Sequence, residues 1–135
     1  MEPGFLLDTN ILIYIRRRRP AKVYLRFEKL NFGEAALSVI TYGELLFGAE
    51  RSATRSRAFA ELEELKASIP ILPLPIDAGP VYASIRAQLS TRGDIIGSND
   101  LWIAAHAVAQ RLTLVTNNER EFRRVSGLKI ENWIE

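Results

Sequence analysis

Four acidic residues in this chain each stand beside an expected strand end or helix start, with apolar residues flanking them. Asp8 closes the run in Phe5-Leu6-Leu7-Asp8-Thr9-Asn10, and Glu44 lies in Ser38-Val39-Ile40-Thr41-Tyr42-Gly43-Glu44-Leu45. Asp100 lies in Ile96-Gly97-Ser98-Asn99-Asp100-Leu101, and Glu121 in Thr116-Asn117-Asn118-Glu119-Arg120-Glu121-Phe122. Carboxylates are rarely buried unless they are paired or bound to a cation. A fold that gathers these four makes a hole lined with negative charge, and such a hole needs a metal ion.

The spacing of apolar residues predicts such a fold. Phe5-Leu6-Leu7, Ala35 to Val39 and Leu112 to Thr116 have the length and composition of buried strands. Between them, apolar residues recur at helical intervals over Ile11–Arg17, Ala21–Leu30, Thr41–Glu50, Arg55–Ser68 and Val81–Arg92. A further helix starts at Ser98, Asn99 or Asp100 and runs to Gln110. Glu119–Arg124 is a helical turn, and Leu128–Ile130 a last short strand. Thr9 and Asn10 are cap residues for the first helix, and Asp77 for the one at 81. Ile69–Pro75 is extended, but its three prolines place it at a sheet edge. Strands alternating with helices indicate an α/β fold with a mainly parallel sheet, whose ligands sit at the carboxyl ends of the strands. That topology puts all four acids near one rim.

The 135 residues are the usual size of one domain, with neither a repeat nor a linker to divide them. A single domain over 1–135 is expected. With no cysteine there is no disulfide framework and no thiolate metal site. No apolar run is long enough to span a membrane, and Met1-Glu2-Pro3-Gly4 lacks the basic start of a secretory signal. The expected location is the cytoplasm. A net charge of +2 is too small to establish a nucleic-acid partner, but Arg16, Arg17, Arg18 and Arg19 are consecutive.

The chemistry follows from repulsion. Two carboxylates about 4 Å apart repel by roughly 4 kcal/mol at an effective dielectric of 20. A hard divalent cation removes that cost, and Mg²⁺ takes oxygen ligands while keeping several waters. Such a site activates water and orients a phosphate. The reaction class is metal-assisted phosphodiester hydrolysis, with no histidine base required.

These residues, in this order, resemble the PIN-domain ribonucleases of the VapC toxin type. The resemblance runs through Leu6-Leu7-Asp8-Thr9-Asn10, then Ser38-x-x-Thr41-x-x-Glu44-Leu45-x-x-Gly48. It continues through Ile96-Gly97-x-x-Asp100-x-x-Ile103-Ala104-x-His106-Ala107, Val115-Thr116-Asn117-Asn118-x-x-Glu121-Phe122 and Gly127-Leu128-x-x-Glu131-x-Trp133. Each fragment is weak alone; order and spacing together are specific, over nearly the whole length. The resemblance implies a Rossmann-like PIN fold, a three-layer sandwich around a mainly parallel sheet. It implies a homodimer, cleavage of RNA with Mg²⁺ or Mn²⁺, and a VapB-like antitoxin whose tail lies across the active-site groove. Asp8 and Asp100 match the principal metal ligands, Glu44 the third acid, and Glu121 the last. Asn118 stands where the commoner motif has an acid, which puts a second strongly bound metal in doubt. The Thr-Asn-Asn form resembles a branch with members that cut initiator tRNA.

Plainer readings stand beside these. Asp8-Thr9 is also a helix cap, and Asp100 also suits a helix N-terminus electrostatically. Glu119 competes with Glu121. Thr9, Asn10, Thr116 and Asn118 are candidate supporting residues; for Thr116 and Asn118, positioning a metal's water and bonding a strand end are equal readings. Arg16 to Arg19 form a candidate phosphate track, a solvated helix face or an antitoxin contact. Asp94 reads as a solvated loop residue, His106 as packed within its helix, and Trp102 and Trp133 as core or dimer contacts. Among rival functions, a haloacid-dehalogenase-like phosphatase wants Asp-x-Asp where this chain has Asp8-Thr9-Asn10. A receiver domain wants an acidic pair and a late lysine that are not found. A catalytically weak PIN module that binds RNA or protein is the remaining alternative.

Overall fold

Leu6 and Leu7 point to opposite faces of one strand, and a separate core lies on each side. In the computed structural model, which describes residues 2–135, that strand is β1 (Phe5–Leu7). It is followed by α1 (Thr9–Arg17), α2 (Ala21–Glu28), β2 (Ala35–Ser38), α3 (Val39–Glu50), α4 (Arg55–Ser68) and β3 (Ile71–Leu72). Then come α5 (Ala78–Thr91), α6 (Ser98–Ala109), β4 (Thr113–Val115), α7 (Glu119–Phe122) and β5 (Ile130–Glu131). Met1, which begins both the expected 1–135 domain and the Met1-Glu2-Pro3-Gly4 start, lies outside the described residues.

The sheet has five strands in the order β3-β2-β1-β4-β5, and every pairing is parallel. Strand side chains alternate between faces. Leu6 and Leu114 join Ile85, Leu89, Leu101, Ile103 and Phe122 on one side. Leu7 and Val115 join Ile11, Leu12, Val23, Leu37, Leu62 and Leu65 on the other. The result is an α/β three-layer sandwich with helices on both faces. Burial on both faces explains why the strands are continuously apolar. The proline-rich segment lies at the edge as expected, where Pro70 contributes only its carbonyl, accepting the Leu37 N–H at 2.9 Å.

Three helix starts differ from expectation. α1 begins at Thr9 because Asp8, not Thr9 or Asn10, is its cap; Asp8 Oδ1 accepts the Thr9 N–H. α3 begins at Val39, directly after β2, because the Ser38 hydroxyl accepts the Ile40 N–H at 3.1 Å. α5 begins at Ala78, with Pro80 in the first turn, where its missing N–H costs nothing. Asp77 holds the cap position there without a side-chain cap bond.

Candidate active site

Asp8 lies just past the end of β1, in extended conformation, and its N–H still bonds the Val115 carbonyl at 3.0 Å. This carries the β1–β4 ladder one step further and sets Asp8 beside Thr116, the residue after β4. The buried Thr116 hydroxyl donates to Asp8 Oδ2 at 2.8 Å and accepts the Asn118 N–H at 2.9 Å. Asp8 Oδ1 takes the Thr9 N–H at 2.8 Å. Both oxygens of Asp8 are therefore fixed by neutral donors.

Glu44 comes in from α3. The Thr9 hydroxyl donates to its Oε1 at 3.3 Å, which ties the start of α1 to the second turn of α3. Glu121 comes from α7. Its Oε1 accepts the Gly97 N–H at 3.2 Å, and its Oε2 accepts the side-chain amide of Asn118. An aspartate at 118 has no proton to give there, so the amide has a definite role.

Asp100 is the third residue of α6. Its carboxyl is pushed up to about 7, first by burial, then by a hydrogen bond with Glu121, then by the negative charges of Glu121, Asp8 and Glu44. Asp100 thus feels all three other acids. Among the described residues, no Lys or Arg forms an ion pair with any of the four. Equally, no three acidic or histidine side chains among the described residues converge closely enough to enclose a cation as they stand. The two observations differ in range: charges couple over several ångströms, whereas oxygen ligates Mg²⁺ at about 2.0–2.1 Å. The rim is a loose ring of oxygens, each turned onto a neighbouring hydroxyl, amide or carboxyl. Oxygen-only donors with uncompensated charge fit a hard divalent cation, and Asp8, Glu44, Asp100 and Glu121 are the residues that would hold it.

The remaining candidates divide. Glu119 turns away from the rim. It pairs with Arg123 at 2.9 Å and accepts from Asn132, a bond that draws its carboxyl below the usual value. Asn10 is exposed. Arg16 to Arg19 lie at the far end of α1, roughly 12 Å from Asp8 at about 1.5 Å per residue. Arg16 pairs with Glu61 of α4, and the Arg18 guanidinium sits over the Tyr24 ring. Asp94 pairs with Arg124 at 3.4 Å. His106 is fully buried, and Trp133 packs edge-on against Phe5. Trp102 stacks on Tyr82, with ring centroids 3.8 Å apart.

Two features escaped the sequence reading. Gly97 contributes a backbone donor, which no side-chain motif reveals. Beside Glu44 lies a groove lined by Val39, Ile40, Gly43, Glu44, Phe47 and Asn99, with Phe47 60% exposed. The signal for it was available: α3 carries apolar residues on more than one face, and Val39 and Phe47 are left exposed.

The PIN domain family matches residues 5–128. Ribonuclease VapC2 of Haemophilus influenzae is 43% identical over 130 residues, covering 96% of this chain and 98% of that protein. The tRNA(fMet)-specific endonuclease VapC of Shigella flexneri is 42% identical over 129 residues, covering 96% and 97%. Among solved structures, DNA-bound VapBC from Salmonella typhimurium superposes with a TM-score of 0.90 at 38% identity, covering 98% of this chain and 99% of that one. VapBC2 from Rickettsia felis, bound to a DNA fragment from its promoter, gives 0.87 at 36% identity, covering 96% and 98%. The order of elements, the acidic rim and these likenesses over nearly the full length agree: the chain belongs to the VapC ribonucleases of the PIN-domain family.

Proposed function

We propose that this protein is a divalent-cation-dependent endoribonuclease, the toxin half of a toxin–antitoxin pair, which stops translation by hydrolysing RNA. The observation that carries the reading is the gathering of Asp8, Glu44, Asp100 and Glu121 at one rim without a basic partner among the described residues. Mg²⁺ is the proposed cation, with Mn²⁺ able to replace it. When bound, it offsets the charge of the scissile phosphate and makes an attacking water more acidic.

The chain's own residues set the geometry. Thr116 and the Thr9 N–H hold Asp8 in one rotamer, and Thr9 holds Glu44. Asn118 and Gly97 hold Glu121 against Asp100. The reaction adds water to phosphorus and breaks one P–O ester bond, and the leaving oxygen takes a proton. Pre-set acids lower the cost of ordering this arrangement.

Initiator tRNA is the proposed substrate, supported by the 42% identity to the Shigella tRNA(fMet)-specific endonuclease. A VapB-like antitoxin is the proposed partner, supported by the likeness to VapBC structures. A homodimer is proposed on the resemblance to the VapC family, and the exposed Val39 and Phe47 of α3 are consistent with a covered surface. Among the described residues no helix is long and apolar enough to cross a membrane; with the RNA substrate, this favours a cytoplasmic location. The arginines at 16–19 are proposed as an outlying contact to RNA backbone.

Purified, antitoxin-free protein incubated with total tRNA and Mg²⁺ tests the reading. Discrete fragments that map to initiator tRNA, and that are missing with Asp8→Ala protein, are expected. RNA binding without any cut would favour the weak binding module instead.

A further inference from the structure

Ser38 and His106 are both fully buried and hydrogen-bonded to each other, His106 Nδ1 to Ser38 Oγ at 2.9 Å. They come from two of the three helical units that deliver acids to the rim. Ser38 ends β2 and caps α3, which carries Glu44; His106 is on α6, six residues after Asp100. No loop separates β2 from α3, so the cap at Ser38 stands at the joint where that helix leaves the sheet.

The donors and acceptors in this network can be assigned. Gln110 presents its amide oxygen to His106 Nε2 at 3.0 Å. With the amide in this orientation its oxygen accepts, so Nε2 carries the hydrogen and Nδ1 of the neutral ring is the acceptor. The Ser38 O–H donates to Nδ1, and the lone pairs of Oγ remain free for the Ile40 N–H at 3.1 Å. Every member is satisfied. Burial also holds His106 below the usual imidazole value, which favours the neutral ring that the network requires. A charged ring, or the other neutral tautomer, turns Nδ1 into a donor, and the Ser38 hydroxyl then loses its acceptor.

We infer that His106 is a positioning residue for RNA cleavage: by accepting the Ser38 hydroxyl proton it locks the cap of α3 to α6, and so fixes Glu44 relative to Asp100. This rests on the nuclease reading above. It assigns a role to a histidine that touches none of the four acids and takes no part in proton transfer.

The test separates positioning from mere stability. Asparagine offers an oxygen near the place of Nδ1, whereas glutamine reaches only the place of Nε2. Wild type, Ser38→Ala, His106→Gln and His106→Asn would be compared for kcat and KM on one RNA substrate with Mg²⁺, each normalised to folded protein. The expected result is kcat lower by about tenfold to a hundredfold in Ser38→Ala and His106→Gln, since a misplacement of about 1 Å can cost that much. KM changes little, and His106→Asn recovers most of kcat. The Ser38→Ala/His106→Gln double variant is no slower than either single one, as expected of two members of one unit. Nitrogen-15 NMR of wild type, which needs no activity, should show the neutral Nε2–H tautomer. Unchanged kcat per folded molecule in both single variants, or an Nδ1–H tautomer, overturns the inference while leaving the nuclease reading intact. A wild type that cuts no RNA overturns both.

Discussion

Thr116 donates a hydroxyl hydrogen bond to Asp8 across the tips of two adjacent parallel strands, at 2.8 Å. The residues are 108 positions apart in sequence, and the register of β1 on β4 brings them together. That hydroxyl, together with the Thr9 N–H on the other carboxylate oxygen, fixes one of the four acids of the rim.

Thr116→Val keeps the shape and removes that donor, and also takes the acceptor from the Asn118 N–H. Loss of these two hydrogen bonds costs about 2 kcal/mol at about 1 kcal/mol each, or roughly 6 °C in Tm for a domain of this size. Activity is expected to fall much further, by about tenfold to a hundredfold in kcat, because Asp8 Oδ2 loses its donor and only the Thr9 N–H still holds the carboxylate. Thr116→Ser should retain most activity. Melting curves and steady-state kinetics on the three proteins check this.

The Asp100 carboxyl, ordinarily near 3.8, is raised to about 7 in the folded protein. Between these values the native state binds more protons than the unfolded chain. This group's contribution to stability therefore falls as pH rises from about 4 to 7, and stays low above that. In metal-free protein, Asp100→Asn is expected to flatten that decline and raise Tm at pH 7.5 while abolishing most cleavage. Thermal melts from pH 4 to 8 in chelator decide it; a variant that melts below wild type at pH 7.5 contradicts the account of Asp100.

Asn118→Asp replaces a donor to Glu121 by a second negative charge. The metal-free variant should melt several degrees lower than wild type, and Mn²⁺ should restore the loss. Its Mn²⁺ affinity, measured by calorimetry, should exceed that of wild type, because an added carboxylate strengthens an oxygen site. Weaker Mn²⁺ binding would show that the Asn118–Glu121 bond matters more than the extra charge.

Arg17 and Arg19 lie a full helix length from the rim, so the Arg17→Ala/Arg19→Ala pair should leave kcat unchanged and raise KM for tRNA. If each arginine contacts a phosphate, the log–log slope of affinity against salt should drop by about 0.7 per contact for single-stranded RNA. An unchanged slope removes these residues from the RNA surface.

Much of this site was legible because its signals are local. Apolar runs ending at Asp8 and before Thr116 are strands cut off by polar residues, and strand alternation with helices gave a parallel sheet. What escaped depends on tertiary contacts or on the backbone. Spacing alone leaves Glu119 beside Glu121, and only the place of Glu121 before Phe122 favours it; what the sequence does not show is that Asn132 draws Glu119 aside. Val39 and Ile40 have the composition of a strand, but the Ser38 cap turns them into the first turn of α3. The donor from Gly97 belongs to its backbone, and the arginine run gives no sign of its distance from Asp8.

The most direct test of the central claim is to titrate Mn²⁺ into metal-free wild-type and Asp8→Ala protein by calorimetry, and to assay tRNA cleavage in the same samples. The account predicts binding and cleavage that rise together in wild type, vanish with chelator, and are both lost in the folded Asp8→Ala variant. Cleavage that persists in chelator, or Mn²⁺ binding that Asp8→Ala leaves unchanged, would contradict it.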